Sequence, residues 1–158
     1  HYIHTGEHFF LYDTMFVDDG DTGIFVMRTP LTDTVIHAIL SINGSGVTIT
    51  DLYESDSLGW FGGDTICAKN HNRLLAETHT CDLAVFKRPT TTDSLGELLG
   101  ITHFGANAPS GSSIFGGGLR NENEINFAPA KSYIVRIISG TDGNKINFLW
   151  NFYQIVEE

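Results

Sequence analysis

Basic residues are scarce in this chain: nine Lys and Arg stand against 19 Asp and Glu among 158 residues, a formal charge of −10. The nine are scattered. Phosphate contacts require clustered Lys and Arg, so nucleic acid is excluded as a partner. The acidity gives solubility or matches a basic partner surface. Cysteine is nearly absent as well. Cys67 and Cys81 are too few for a disulfide scaffold, and neither has a metal-spaced cysteine nearby. They read as two reduced, partly buried thiols, with a bond between them left open.

No apolar run approaches the roughly 20 residues that cross a bilayer. The start, His1 to His8, lacks both the basic opening and the apolar middle of a signal peptide. Helical signals are weak too. Ser94 with Glu97 fits a capping box, but Gly96 and Gly100 interrupt the helix it would start, and Leu74 to Glu77 makes no more than one helical turn. No internal repeat is visible.

The remaining signal is strand. A hydrophobic fraction of 41% excludes general disorder, and the length suits one domain with a core of its own. Phe9 to Val17, Gly23 to Thr29 (stopped by Pro30), Thr34 to Ile42, Val47 to Glu54, Thr78 to Phe86 and Glu97 to Phe104 are rich in β-branched and aromatic residues. At the end of the chain the period is two. Tyr133, Val135 and Ile137 share one face, and Ile146, Phe148, Trp150 and Phe152 share another. Asp142-Gly143 between them suits a tight turn, which predicts a closing β-hairpin. Asn43 to Gly46 gives a second hairpin signal, and Pro129 suits a strand entrance. The expectation is an all-β domain, an antiparallel β-sandwich or barrel of about eight to ten strands, with a jelly roll suiting that count. Residues 1–8 read as an N-terminal arm and 9–158 as the sandwich.

Reactive chemistry finds little footing. His1, His4 and His8 lie three and four apart, but Gly6 and the short segment argue for an arm. His37, His71, His79 and His103 are far apart, without the compact His-x-His plus Glu of a cupin. Asp18, Asp19 and Asp21 resemble part of a calcium loop, yet the twelfth position is Thr29 rather than Glu. They read as a solvated turn, with a surface calcium site left open. Gly59 to Gly63 and Gly116 to Gly118 lack the Lys-Ser/Thr of a phosphate loop. Ser110, Ser112 and Ser113 lack a nucleophile elbow. Asn43-Gly-Ser45 matches a glycosylation acceptor as well as an ordinary turn. The reading is of no enzyme, no catalytic residue, no cofactor and no metal. Trp60, Phe61, Phe104 and Phe115 stand in or beside Gly-rich loops, where they either plug the ends of the sandwich or contact a partner.

Several landmarks in order resemble the jelly-roll decoration, or cement, proteins of tailed-bacteriophage heads. They are Ile36 to Leu40, Leu52 to Glu54, Lys69-Asn-His-Asn-Arg73, Arg88-Pro-Thr-Thr-Thr-Asp-Ser-Leu-Gly96, a Gly-rich loop leading to Arg120 through Pro129, and the Tyr133 and Phe148 strands. Together they cover roughly residues 22 to 155. The end departs from the family's Trp-Tyr-Glu-His, running Trp150-Asn-Phe-Tyr-Gln, and the N-terminal segment has no counterpart there. The resemblance implies a structural virion protein, assembled in the host cytoplasm and bound to the outer surface of a capsid. Its partner would be the major capsid protein, often contacted as a homotrimer. On that reading the arm, with Tyr2 and His4, reaches a neighbour, and Trp60, Phe61 and Phe115 make further contacts. The alternative is a carbohydrate-binding jelly roll of a host-adhesion apparatus, with Trp60, Phe61 or Tyr53 as stacking platforms. A cupin-like metalloenzyme is the third reading.

Overall fold

The computed structural model describes residues 7–75, 77–104 and 124–156. Eleven strands and no helix occur among them: β1 (His8–Val17), β2 (Thr22–Arg28), β3 (Thr34–Gly44), β4 (Thr48–Ser55), β5 (Asp64–Ile66), β6 (Lys69–Asn70), β7 (Ala84–Lys87), β8 (Glu97–Phe104), β9 (Glu124–Phe127), β10 (Ser132–Ser139) and β11 (Asn144–Val156). They form an antiparallel β-sandwich. Sheet A has the order β6-β1-β11-β3-β9 and sheet B the order β5-β7-β2-β10-β4-β8.

Alternation along each long strand decides what faces inward. On β3, Ile36, Ala38, Leu40 and Ile42 are fully buried, while the residues between them are half-buried on the far side. On β11 the inward set is Ile146, Phe148, Trp150 and Phe152, as the period of two requires. These meet Phe25, Met27, Leu52, Tyr133, Val135 and Ile137 from sheet B in one core. Phe25 packs between the sheets with its ring 3.7 Å from Phe148 and 5.5 Å from Trp150.

The closing hairpin is not formed. β10 pairs with β2 and β4, and β11 pairs with β1 and β3, so residues 140–143 carry the chain from one sheet to the other. The Asn43 to Gly46 turn likewise joins β3 of sheet A to β4 of sheet B. Period-two patterning states which side of a strand is apolar, and two such strands bury those sides equally well side by side or face to face. The strand expected at 78–86 also shortens to Ala84–Lys87. His8, expected in the arm, begins β1, and Glu7 accepts a hydrogen bond from Gln154 N through its carbonyl; residues 1–6 lie outside the described residues.

Three sheet crossings, at 18–21, 45–47 and 140–143, are tied together at one end. Asn144, fully buried, is the knot. Its Nδ2 faces Thr48 Oγ1, Ser139 Oγ and Val47 O at 2.7, 3.1 and 3.2 Å, and its Oδ1 accepts from Gly46 N at 2.9 Å. A Cβ on Gly46 would lie 2.7 Å from Thr141, so the two crossings touch only because that side chain is missing. The first crossing joins through Gly143 N donating to Asp18 Oδ1 (2.8 Å) and Gly20 N donating to Ser139 O (2.9 Å). At the other end Thr29 Oγ1 donates to Ala128 O and accepts from Lys131 N, at 2.8 and 2.9 Å.

This packing makes two substitutions informative. Asn144→Ala strands a buried N–H and several acceptors, and is expected to cost about 2–4 kcal/mol, read as a lower urea midpoint. An unchanged midpoint would remove Asn144 from its role. Tyr133 stacks on Phe127 at 3.8 Å, donates to Glu54 Oε2 at 2.7 Å and accepts from Ala128 N at 2.9 Å. Burial first, and the Glu54 bond second, hold its hydroxyl above the ordinary value of 10.0. The folded state therefore keeps this proton while the unfolded chain loses it. That stabilisation is whole below about pH 10 and is lost as the pH rises further. Tyr133→Phe is expected to flatten part of the alkaline decline in denaturation midpoints, leaving the parts owed to Tyr53 and Cys81, both raised chiefly by burial, and to Lys131, raised chiefly by its hydrogen bond to Asp56.

Candidate binding surface

The outward faces of the two sheets differ. That of sheet B is covered by the chain itself over its middle strands, while Leu98, Leu99 and Ile101 of the edge strand β8 stay 44%, 43% and 51% exposed. Val26, Phe86 and Ile134 point away from the main core and form a second apolar cluster with Trp60. The segments at 56–63 and 88–96 lie over it, zipped by Phe61 N to Thr91 O and Thr91 N to Phe61 O at 3.2 and 3.0 Å. Ser57 and Asp93 are hydrogen-bonded across the same pair, and the Ser57 hydroxyl, with Ser94 N–H, holds the Asp93 carboxyl below its ordinary value.

Sheet A carries apolar side chains outward with no described segment over them. On β1 the inward residues Phe9, Leu11, Met15 and Val17 alternate with Phe10, Tyr12, Thr14 and Phe16. Tyr12 is 62% exposed, Phe16 59% and Leu149, beside Tyr12 on β11, 48%. Tyr12 and Phe16 are four residues apart on one strand, roughly 14 Å at ordinary strand rise. Between them runs a polar row in register: Thr14, Asn147 and Asn43, with Asn147 Nδ2 and Asn43 Oδ1 3.5 Å apart. The face thus presents Tyr12, Phe16 and Leu149 set apart by amides and a hydroxyl.

One end of this face gathers histidines. His8 stacks on His71 with ring centroids 4.2 Å apart, and meets Tyr153 edge-on at 5.1 Å. His71 Nε2 lies 3.1 Å from Asn151 Oδ1. His37 pairs with Glu124, which also accepts from Tyr153 Oη at 3.1 Å. The fold thereby brings together three histidines that the sequence spreads from position 8 to 71. No three His, Cys, Asp or Glu side chains are grouped as metal ligands among the described residues. His79 and His103 stand apart, on a loop and on β8.

The residues singled out from sequence fare differently. Trp60 is 2% exposed and donates to Ser94 O at 3.0 Å, so it is core to the cover on sheet B and not an exposed contact. Phe61, next to it, is 54% exposed. Tyr53 is no open stacking platform either: Arg136 lies over its ring at 5.2 Å and hydrogen-bonds its hydroxyl and Asp51. Tyr2, His4 and Phe115 lie outside the described residues. Asp18 is engaged at the crossing to Gly143, and Asp142 Oδ1 accepts from Asp19 N at 3.2 Å. Cys67 is exposed and Cys81 half-buried, both as free thiols, with burial pushing Cys81 up to about 12.

Sequence reading missed Tyr12, Phe16 and Leu149. Phe9 to Val17 registered only as apolar, although its even positions hold two Phe and one Tyr, an unusual load for an outer face. No family model, no curated protein and no solved structure matches this chain.

A surface role for these rings has a stability signature. The Tyr12→Ser, Phe16→Ser double variant is expected to shift unfolding free energy by no more than about 1 kcal/mol, as exposed sites do. Phe148→Ala, in the core, is expected to cost about 3–5 kcal/mol. Comparable losses in the two, measured by urea unfolding, would show that the outer rings are structural.

Proposed function

We propose that this chain is a non-enzymatic adhesive protein of a virion, a decoration protein that binds the outer surface of a tailed-phage head. The observation that carries the reading is the open apolar face of sheet A. A sandwich whose second sheet covers its own outer apolar cluster, but whose first sheet presents Tyr12, Phe16 and Leu149 to solvent, is arranged to bury that face against something else. The connectivity supports a jelly roll. Setting aside β5, β6 and β7, which extend one end of each sheet, the order β1-β11-β3-β9 faces β2-β10-β4-β8, and the links β1–β2, β3–β4 and β10–β11 each change sheet. That agrees with the motif resemblance running through most of the chain. Binding only to the assembled lattice would stabilise it by mass action, and many copies, as homotrimers on one particle, let modest contacts suffice.

The row of Thr14, Asn147 and Asn43 between exposed rings favours a second reading, a carbohydrate-binding module, because sugars present an apolar face to rings and hydroxyls to amides. One experiment separates the two. Purified protein is mixed with tailed-phage heads lacking their decoration protein, and in parallel applied to a glycan array. Co-sedimentation with heads, lost in the Tyr12→Ser, Phe16→Ser variant, is the expected result. Glycan binding lost in the same variant, with no co-sedimentation, would replace the first reading by the second.

A further inference from the structure

A cavity of about 410 Å³ opens at the side of the sandwich, where β6 ends sheet A and β5 and β7 end sheet B. It is remote in character from the flat face of Tyr12 and Phe16. Its floor reaches the core: Phe9, Leu83 and Val85 line it and are 1%, 5% and 1% exposed. Its rim is charged with the sign opposite to the chain. Lys69 and Arg73 both line it, and among the described lining residues Glu77 is the only carboxylate. Two of nine basic residues thus stand at one mouth of a protein of charge −10, set against Glu77 in the lining and Asp82 next to Cys81.

The rim is braced. Asn70, 3% exposed, donates through Nδ2 to His79 O at 3.1 Å and accepts through Oδ1 from Asn72 N at 2.8 Å. Arg73 Nη1 reaches Asn70 O at 3.4 Å. The volume falls within the range of small-molecule sites, which combine an apolar lining with a few placed polar groups.

We propose that this cavity binds a medium-chain carboxylate, its alkyl chain on Phe9, Leu83 and Val85 and its head group between Lys69 and Arg73. The site is independent of whatever the sheet A face contacts. Cys67 and Cys81 both line the same space, and Cys67 is exposed, so occupancy has a second readout in thiol reactivity.

The test is calorimetric titration of the full chain with hexanoate, octanoate and decanoate, and with decyltrimethylammonium as a chain of the same length and opposite charge. Affinity is expected to rise about fourfold per added methylene until the cavity is filled. The cationic amphiphile is expected to bind at least about tenfold more weakly than decanoate. The Lys69→Gln, Arg73→Gln double variant, altered only at exposed positions, should lose about tenfold and Glu77→Gln should gain. Decanoate should also slow alkylation of Cys67, the exposed thiol of the lining, in the unaltered protein. Absence of saturable heat together with unchanged alkylation would overturn the proposal. So would equal affinity for the cationic amphiphile, or undiminished affinity in the double variant.

Discussion

Asn144 holds the place where three sheet crossings converge, and the arrangement of both sheets depends on it. Consecutive strands of this chain do not lie beside each other; they face each other across the core. Each crossing must therefore turn polar backbone over the end of an apolar layer, where its N–H and C=O groups lose water. One carboxamide offers two donors and an acceptor together: its oxygen accepts from Gly46 N, and its two N–H groups are shared among Val47 O, Thr48 Oγ1 and Ser139 Oγ. Asp18 and Asp142 do the same for the neighbouring turn from the solvent side. With the ends fixed, the long strands place Phe25 between Phe148 and Trp150, and the core closes.

The same topology produces the asymmetry that gives the molecule its surface. β2 and β10 lie in the middle of sheet B and are apolar on both sides, which obliges the chain to fold Trp60 and Leu95 over Val26 and Ile134. β1 and β11 lie in sheet A with a mixed outer side, where amides and hydroxyls interrupt the rings. Such a face, with no described segment over it, tolerates water and still offers apolar area to a partner. Its acidic neighbours elsewhere on the chain keep the isolated protein soluble. The edge cavity beside Phe9 is a separate consequence: β6 has two residues and β5 three, so the two sheets part before their side chains fill the gap.

Most strands were legible in the sequence because alternation is a local property. β3, β4, β10 and β11 start within a residue of Thr34, Val47, Tyr133 and Lys145, where the alternation begins. Partner choice was not legible. Asp142-Gly143 carries the residues of a hairpin turn, and Gly143 does take a positive φ of 58°, yet the turn spans two sheets. Nothing local to residues 132–156 distinguishes those outcomes; Asn144 does so through Gly46, Val47 and Thr48, which lie 98, 97 and 96 residues earlier. Trp60 stayed open between plugging the sandwich and contacting a partner for a related reason. A tryptophan in a Gly-rich loop reads either way until the apolar outer side of Ile134 is known to need covering. Tyr12 and Phe16 went unnoticed because Phe9, Leu11, Met15 and Val17 made the whole segment look like core.

Everything in this fold rests on β10 and β11 belonging to opposite sheets, joined at Asn144. Backbone proton contacts detected by nuclear Overhauser effects bear on that pairing without intermediary. Cross-strand contacts are expected between Met15 and Ile146, Phe148 and Ile42, and Ile137 and Thr50. A ladder of backbone contacts joining Ile137 to Ile146 and Val135 to Phe148 would refute the sandwich connectivity, because those strands would then form one hairpin.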